Sequence, residues 1–228
     1  MRVTSFIRLF KSLDYRWYSR PYELNIIGVR SPEMRAGKFD DRMFVIYLSA
    51  SGKWVIHSFA CTTDPGTYWL KSPMHEKGTA ILLEGQYIDT YQIGFHKGKY
   101  KALVQRKEVD ILRDMNRDNS LDFYSGKKYR GLFGINIHRA LVSGITKFID
   151  KFSAGCQVLS SAKDFYLLME LAEKHRSLYG NKFTYTLIDL RSWKRKKIMK
   201  ALFWIGSLIS ITSFSLLLFK NNNKIKTT

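Results

Sequence analysis

Cysteine is scarce: 228 residues hold only Cys61 and Cys156. Two thiols exclude the disulfide framework that staples small secreted domains, so stability must come from a hydrophobic core. Reduced thiols are the expectation, with a single bridge between the two left open. Acidic residues are also few, 19 Asp plus Glu against 38 Lys plus Arg, a formal net charge of +19. That excess predicts attraction to anionic polymers or membranes. It comes without zinc-finger spacing, an aromatic–basic RNA signature or a heptad run, which argues against nucleic acid and leaves teichoic acid, lipopolysaccharide and phospholipid headgroups. His57, Cys61, His75 and His96 show no tight ligand spacing for zinc. The opening MRVTSFIRLFKSLDYRWYSR lacks the unbroken apolar core and cleavage site of a secretory signal. Internal repeats are absent, and low complexity is confined to the tail NNNKIKTT.

Apolar residues make up 45% of the chain and aromatics 14%, enough to offset chain entropy in a folded protein, and the length suits one main domain. Five segments are expected. In residues 1–20, Phe6, Leu9, Phe10 and Leu13 can line one face of a basic helix. Residues 21–190 form the main domain. Within it ELNIIGVR, MFVIYLS, KWVIHSFA, TAILLEG, KALVQ and FTYTLIDL read as strands, and Ala50-Ser51-Gly52 reads as a hairpin turn between the second and third. Phe165, Leu168, Met169 and Ala172 recur at helical spacing, with Asp164 as a helix-start residue and Gly180-Asn181 as the stop. The mixed-charge run LVQRKEVDILRD reads as a solvated face. The expected class is therefore α+β and β-rich, with one or two packed helices.

Residues 191–200 are a basic juxtamembrane linker. Residues 201–219, ALFWIGSLISITSFSLLLF, carry no charge and have the length of a bilayer-spanning helix, with Trp204 near one interface. Residues 220–228 are a polar basic tail. A single C-terminal span with the main domain membrane-associated is the expectation. Lys194, Arg195, Lys196, Lys197 and Lys200 outnumber Lys220, Lys224 and Lys226, a bias that favours a cytoplasmic main domain at insertion, though both flanks are basic.

The chemistry concentrates in NIHRALVSGITKFIDKFSAGCQVL. A thiol becomes a strong nucleophile when an imidazole accepts its proton, and the two need only meet in space. His138 and Cys156 are candidates for such a pair, although a hydrogen-bonded core histidine and an inert buried thiol explain the same residues. Gly155 lets backbone approach a reacting carbonyl and aim amides at an oxyanion.

This segment resembles the active-site motif of the L,D-transpeptidase (YkuD-like) family, in which a histidine precedes a Ser-X-Gly-Cys element. The similarity extends through FDDRMFVIYLSASGKWVIHSFACTTDPGTYWL, which resembles that family's early hairpin and the Pro-Gly segment after it. The resemblance implies a β-sandwich or barrel catalytic domain, phage-encoded or cellular, that acts on peptidoglycan stem peptides without a required cofactor. It places the nucleophile on Cys156, the base on His138, and oxyanion or motif support on Ser153 and Gly155. Arg139 stands where the family usually has glycine, and Ala154 where many members carry a second histidine. Arg139 and Gln157, beside the base and the nucleophile, are the candidate substrate-binding residues. Transpeptidation and hydrolysis of the acyl-enzyme, as in a lysin, are both compatible with this motif.

Asp114, Asn116, Asp118 and Asp122 alternate as in a calcium loop, but Asn119 replaces the glycine such loops prefer and Ser125 the final glutamate. A polar turn with local hydrogen bonds is the alternative. Tyr68, Trp69 and Tyr87 are candidates either for a cleft wall or for the core. Rival readings of the whole are a membrane-anchored, non-enzymatic structural or binding protein on the same fold, and a nucleic-acid-binding membrane protein supported by charge alone.

Overall fold

The computed structural model describes residues 2–124 and 126–192. The linker from residue 193, the apolar run 201–219 and the basic tail lie outside the described residues. Among the described residues, no helix is long and apolar enough to cross a membrane. The chain divides into Met1–Asp189 and Leu190–Thr228, and the first unit is β-rich with three helices.

Eight strands close into a mixed barrel. In chain order they are β1 (Asn25–Arg30), β2 (Asp41–Leu48), β3 (Trp54–Thr62), β5 (Gly85–His96), β6 (Tyr100–Gln105), β9 (Ile137–Arg139), β10 (Gln157–Leu159) and β11 (Phe183–Asp189). Around the barrel they run β1-β11-β5-β6-β9-β10-β3-β2, with β1 parallel to β11 and β9 parallel to β10. The strands β4 (Thr79–Leu82), β7 (Val109–Asp114) and β8 (Lys127–Gly131) form a separate three-stranded sheet.

The β2–β3 hairpin follows from its composition: β-branched and aromatic residues pair from Asp41↔Cys61 to Leu48↔Trp54, and Gly52 supplies the positive φ of 75° at the turn. Helix α1 (Val3–Ser12) buries Phe6, Leu9 and Phe10, with the Phe6 ring 4.9 Å from Phe44. Helix α3 (Ala162–Tyr179) buries Phe165, Leu168, Met169 and Ala172. Its N-cap is Ser161, whose hydroxyl accepts from the Asp164 N–H, so Asp164 supplies first-turn charge rather than the cap. The run LVQRKEVDILRD is not a solvated face: it supplies the end of β6 and all of β7, with Val109, Ile111 and Leu112 buried.

A polar cluster sits inside the fold. Arg30, 1% exposed, pairs with Asp64 at 2.8 Å and Asp189 at 3.6 Å and donates to the Thr63 carbonyl at 2.9 Å. Asp41 accepts from the Thr63 N–H at 2.6 Å and the Ser31 N–H at 2.7 Å. Burial, then the neighbouring Asp64, lifts the Asp41 carboxyl to about 7.

Candidate active site

β9 and β10 carry the two motif residues side by side. Their parallel register sets Val158 opposite His138 and Gln157 opposite Ile137, which brings Cys156, just before β10, beside Asn136, just before β9. His138 and Cys156 line one cleft of about 620 Å³.

The cysteine loop is built by its neighbours. The Ser153 hydroxyl donates to the Cys156 carbonyl at 2.8 Å and accepts from the Gly155 N–H at 3.2 Å. The Ser153 carbonyl accepts from the Gly66 N–H at 2.8 Å, tying the loop to the Pro-Gly turn before α2 (Thr67–Lys71). Gly155 has φ +119°, and a Cβ there would run into the Ala80 carbonyl, so glycine is required by both conformation and space. Its N–H is engaged by Ser153, so Gly155 shapes the loop and offers no free backbone donor.

The Cys156 thiol donates to the Gly134 carbonyl at 3.4 Å and accepts from the Asn136 N–H at 3.5 Å. Gln105 fixes that opposite wall: its Oε1 accepts from the Phe133 and Ile135 N–H groups at 3.1 and 3.0 Å. Burial pushes the Cys156 thiol above its ordinary range, partly opposed by the Asn136 N–H and Lys97.

His138 is buried, and its Nδ1 lies 2.9 Å from the Arg139 carbonyl. A carbonyl only accepts, so Nδ1 carries the proton and Nε2 is the basic nitrogen. The Tyr100 hydroxyl stands 3.4 Å from the same Nδ1 and from the Arg139 carbonyl. The His96 ring stacks on His138 at 4.0 Å and 25°. Burial, then His96, lowers the His138 pKa to about 3, and burial lowers His96 to about 4. At neutral pH the site therefore holds a thiol and two neutral imidazoles.

The two expected substrate-binding residues are placed elsewhere. Gln157 is fully buried and faces the barrel interior, where its Oε1 accepts from the Tyr185 hydroxyl at 2.8 Å. Alternation along a strand sends Gln157 inward as Cys156 faces the cleft. Arg139 lays its guanidinium on the Tyr100 ring at 3.9 Å and lines a neighbouring hollow with Tyr166, Glu170 and Glu173. The cleft's cations are instead Lys97, Arg113 and Lys151, and among the described residues no carboxylate lines it. Trp69 is part of its wall and donates to the Lys151 carbonyl at 3.0 Å; Tyr68 is exposed, and Tyr87 is buried in the core.

Sequence reading missed Asn136, Tyr100, His96 and the three cations. The signal for His96 and Tyr100 was the hairpin HKGKY, whose Lys-Gly turn makes them cross-strand partners.

Among the described residues, no three His, Cys, Asp or Glu side chains are placed to hold a metal. In the 114–122 loop the side chains serve their own backbone: Asp118 accepts from the Ser120 N–H at 2.6 Å, Asn116 from the Asp118 N–H at 3.3 Å, and Asp114 from the Asp122 N–H at 2.9 Å. This is the polar-turn alternative. The chain matches no protein-family model, no curated protein and no solved structure.

Proposed function

We propose that this protein is a cysteine acyl-transfer enzyme of the L,D-transpeptidase type, acting on peptidoglycan stem peptides as a transferase or as a peptidase of the lysin kind. One observation carries the reading: His138 and Cys156 line the same cationic cleft, with the His138 Nδ1 proton tied to the Arg139 carbonyl so that Nε2 is the available base.

The thiol proton, which rests on the Gly134 carbonyl, rotates about the Cβ–Sγ bond and passes to His138 Nε2 as sulfur attacks a peptide carbonyl. The Cys156 N–H faces the developing oxyanion. Collapse of the tetrahedral intermediate breaks the C–N bond, and the His138 proton leaves on the amine. An incoming amine or water, deprotonated by His138, then opens the thioester and returns the proton to sulfur. Lys97, Arg113 and Lys151 suit a substrate bearing carboxylates, as stem peptides do. Nothing in this chemistry requires a cofactor, and calcium at Asp114, Asn116 and Asp118 has no part in it.

The same proposal assigns residues 201–219 as a single span that holds the domain at the cell envelope. The net charge of +19 draws the protein to anionic envelope polymers and membrane, with nucleic acid the weaker partner. The second reading is a binding or structural role without turnover, favoured by the raised thiol and the lowered imidazole.

Mass profiling of muropeptides after incubation of purified peptidoglycan with the full-length protein tests the enzyme. Loss or exchange of stem-peptide residues that vanishes in both Cys156→Ala and His138→Ala supports it. An unchanged profile across walls of different chemistry, with folded protein, moves the conclusion to the second reading.

A further inference from the structure

The tip of the β5–β6 hairpin brings a second histidine against the base. His96 and Tyr100 are cross-strand partners there, joined by a turn in which Lys97 and Gly98 both have positive φ. Tyr100 meets the Nδ1 edge of His138, while His96 covers one of its faces. With Nδ1 and one face occupied, the Nε2 edge is the one left for chemistry.

The orientation of His96 is itself determined. Asn136 Oδ1 accepts from the Gln105 N–H at 2.9 Å, which identifies the other amide atom as the donor. That Nδ2 lies 3.0 Å from His96 Nδ1, so His96 accepts there and its neutral ring carries the proton on Nε2. Asn136 also donates its backbone N–H to Cys156 Sγ. A single residue thus touches the nucleophile with its main chain and sets the buttress of the base with its side chain.

We propose that His96 is a positioning residue for the base: clamped by Asn136, its ring is the wall that holds His138 in one orientation and one tautomer. The inference rests on the reading of His138 as the base. The charged and titratable groups acting on the two rings are Lys97 from the turn, Tyr100 from β6 and Arg139 from β9. Cys156 shares their cleft, and Glu170 and Glu173 of α3 border Arg139 from the neighbouring hollow. Each ring is pushed toward its neutral form by burial and by these cations. The wall is therefore uncharged at neutral pH, and an uncharged ring can stack on the base without repelling it.

The test combines nitrogen NMR of the imidazoles with muropeptide kinetics, on the full-length protein and on His96→Ala, His96→Gln and His96→Phe. His96→Phe keeps the ring; His96→Gln keeps a partner for Asn136 but loses the ring. Misplacing a base costs turnover and not affinity, so kcat should fall about tenfold in His96→Ala and His96→Gln with KM within about twofold, and recover to within about threefold of wild type in His96→Phe. The single Nδ1-protonated form of His138 should give way to both tautomers in His96→Ala and persist in His96→Phe. Folded His96→Ala that keeps the single tautomer and wild-type kcat overturns the proposal, as does His96→Phe as impaired as His96→Ala. A wild type that leaves muropeptides unchanged defeats the enzymatic reading alone. The tautomer readout then still decides for or against His96, because it needs no turnover.

Discussion

A cysteine–histidine pair can rest as thiolate and imidazolium or as two neutral groups, and the surroundings of Cys156 and His138 favour the second. The Cys156 thiol lies above its ordinary 9.0 and His138 near 3. A gap of at least about six units makes proton transfer cost about 8 kcal/mol before the two charges attract. Attraction between opposite charges in contact, about 4 kcal/mol at an effective dielectric near 20, recovers only part of that cost, so the ion pair is the minor form. Alkylation by iodoacetamide at pH 7, followed by mass spectrometry of the peptide carrying Cys156, reads this directly, since thiolate is the reacting form. Cys156 should react more slowly than a free thiol, and His138→Ala should change its rate by less than about threefold, because there is almost no thiolate for the histidine to stabilise. Fully buried Cys61 is the internal control, unreactive in the folded protein. Alkylation about tenfold faster than a free thiol, abolished in His138→Ala, would mean that the pair is ionised and refute this reasoning.

Further outcomes follow from the same geometry. Unfolded histidines take up protons that His138, near 3, and His96, near 4, refuse, so these groups make stability fall as pH drops from about 6.5 toward 4; Asp41, near 7, acts oppositely because its folded form binds a proton first. Asp41→Asn should steepen the acid decline in chemical denaturation between pH 7 and 4.5, and an unchanged slope would contradict the Asp41 assignment. Arg30→Leu removes the buried cation that pairs with Asp64 and Asp189 and should cost about 3–5 kcal/mol in urea denaturation; a loss below about 1 kcal/mol would show that the pairs carry little. Gly155→Ala should destabilise by about 1–3 kcal/mol and displace Cys156, and wild-type stability there would show that the loop relaxes around the Ala80 carbonyl.

The readily legible parts of the fold are those where local pattern and tertiary demand agree. The β2–β3 hairpin has β-branched strands around a glycine turn, and α3 has an apolar stripe with a stop at Gly180. β5 was harder to see, because GQYIDTYQIGFH mixes Gly, Asp and Gln into a strand whose burial alternates irregularly. β7 pairs with β4 on one side and β8 on the other, so Lys127, Lys128 and Arg130 of β8 stay in water while Val109, Ile111 and Leu112 of β7 turn inward. At the site, the parallel β9–β10 pairing explains why an 18-residue separation still puts a histidine and a cysteine in one cleft (156 − 138 = 18). His96 is 42 residues from His138, and no local signal links them (138 − 96 = 42); only the β6–β9 pairing brings the hairpin tip to the base. Gln157 was misplaced for a simpler reason: adjacent strand residues point to opposite faces.

The inward turn of Gln157 changes how a mutational map of this protein would read. Its Nε2 approaches the Thr63 carbonyl at 3.5 Å, the same carbonyl that Arg30 holds at 2.9 Å, while the preceding residue, Cys156, lines the cleft. The start of one strand is thus shared between an ionic interior and the cleft outside it. Under the proposed function, substitutions at Arg30, Thr63 or Tyr185 should therefore score as loss of activity as sharply as those at His138, though all three are buried away from the cleft. A scan scored on activity alone would draw an active site that runs through the barrel wall, and only a parallel scan for abundance would separate the residues that react from those that hold the strand in place.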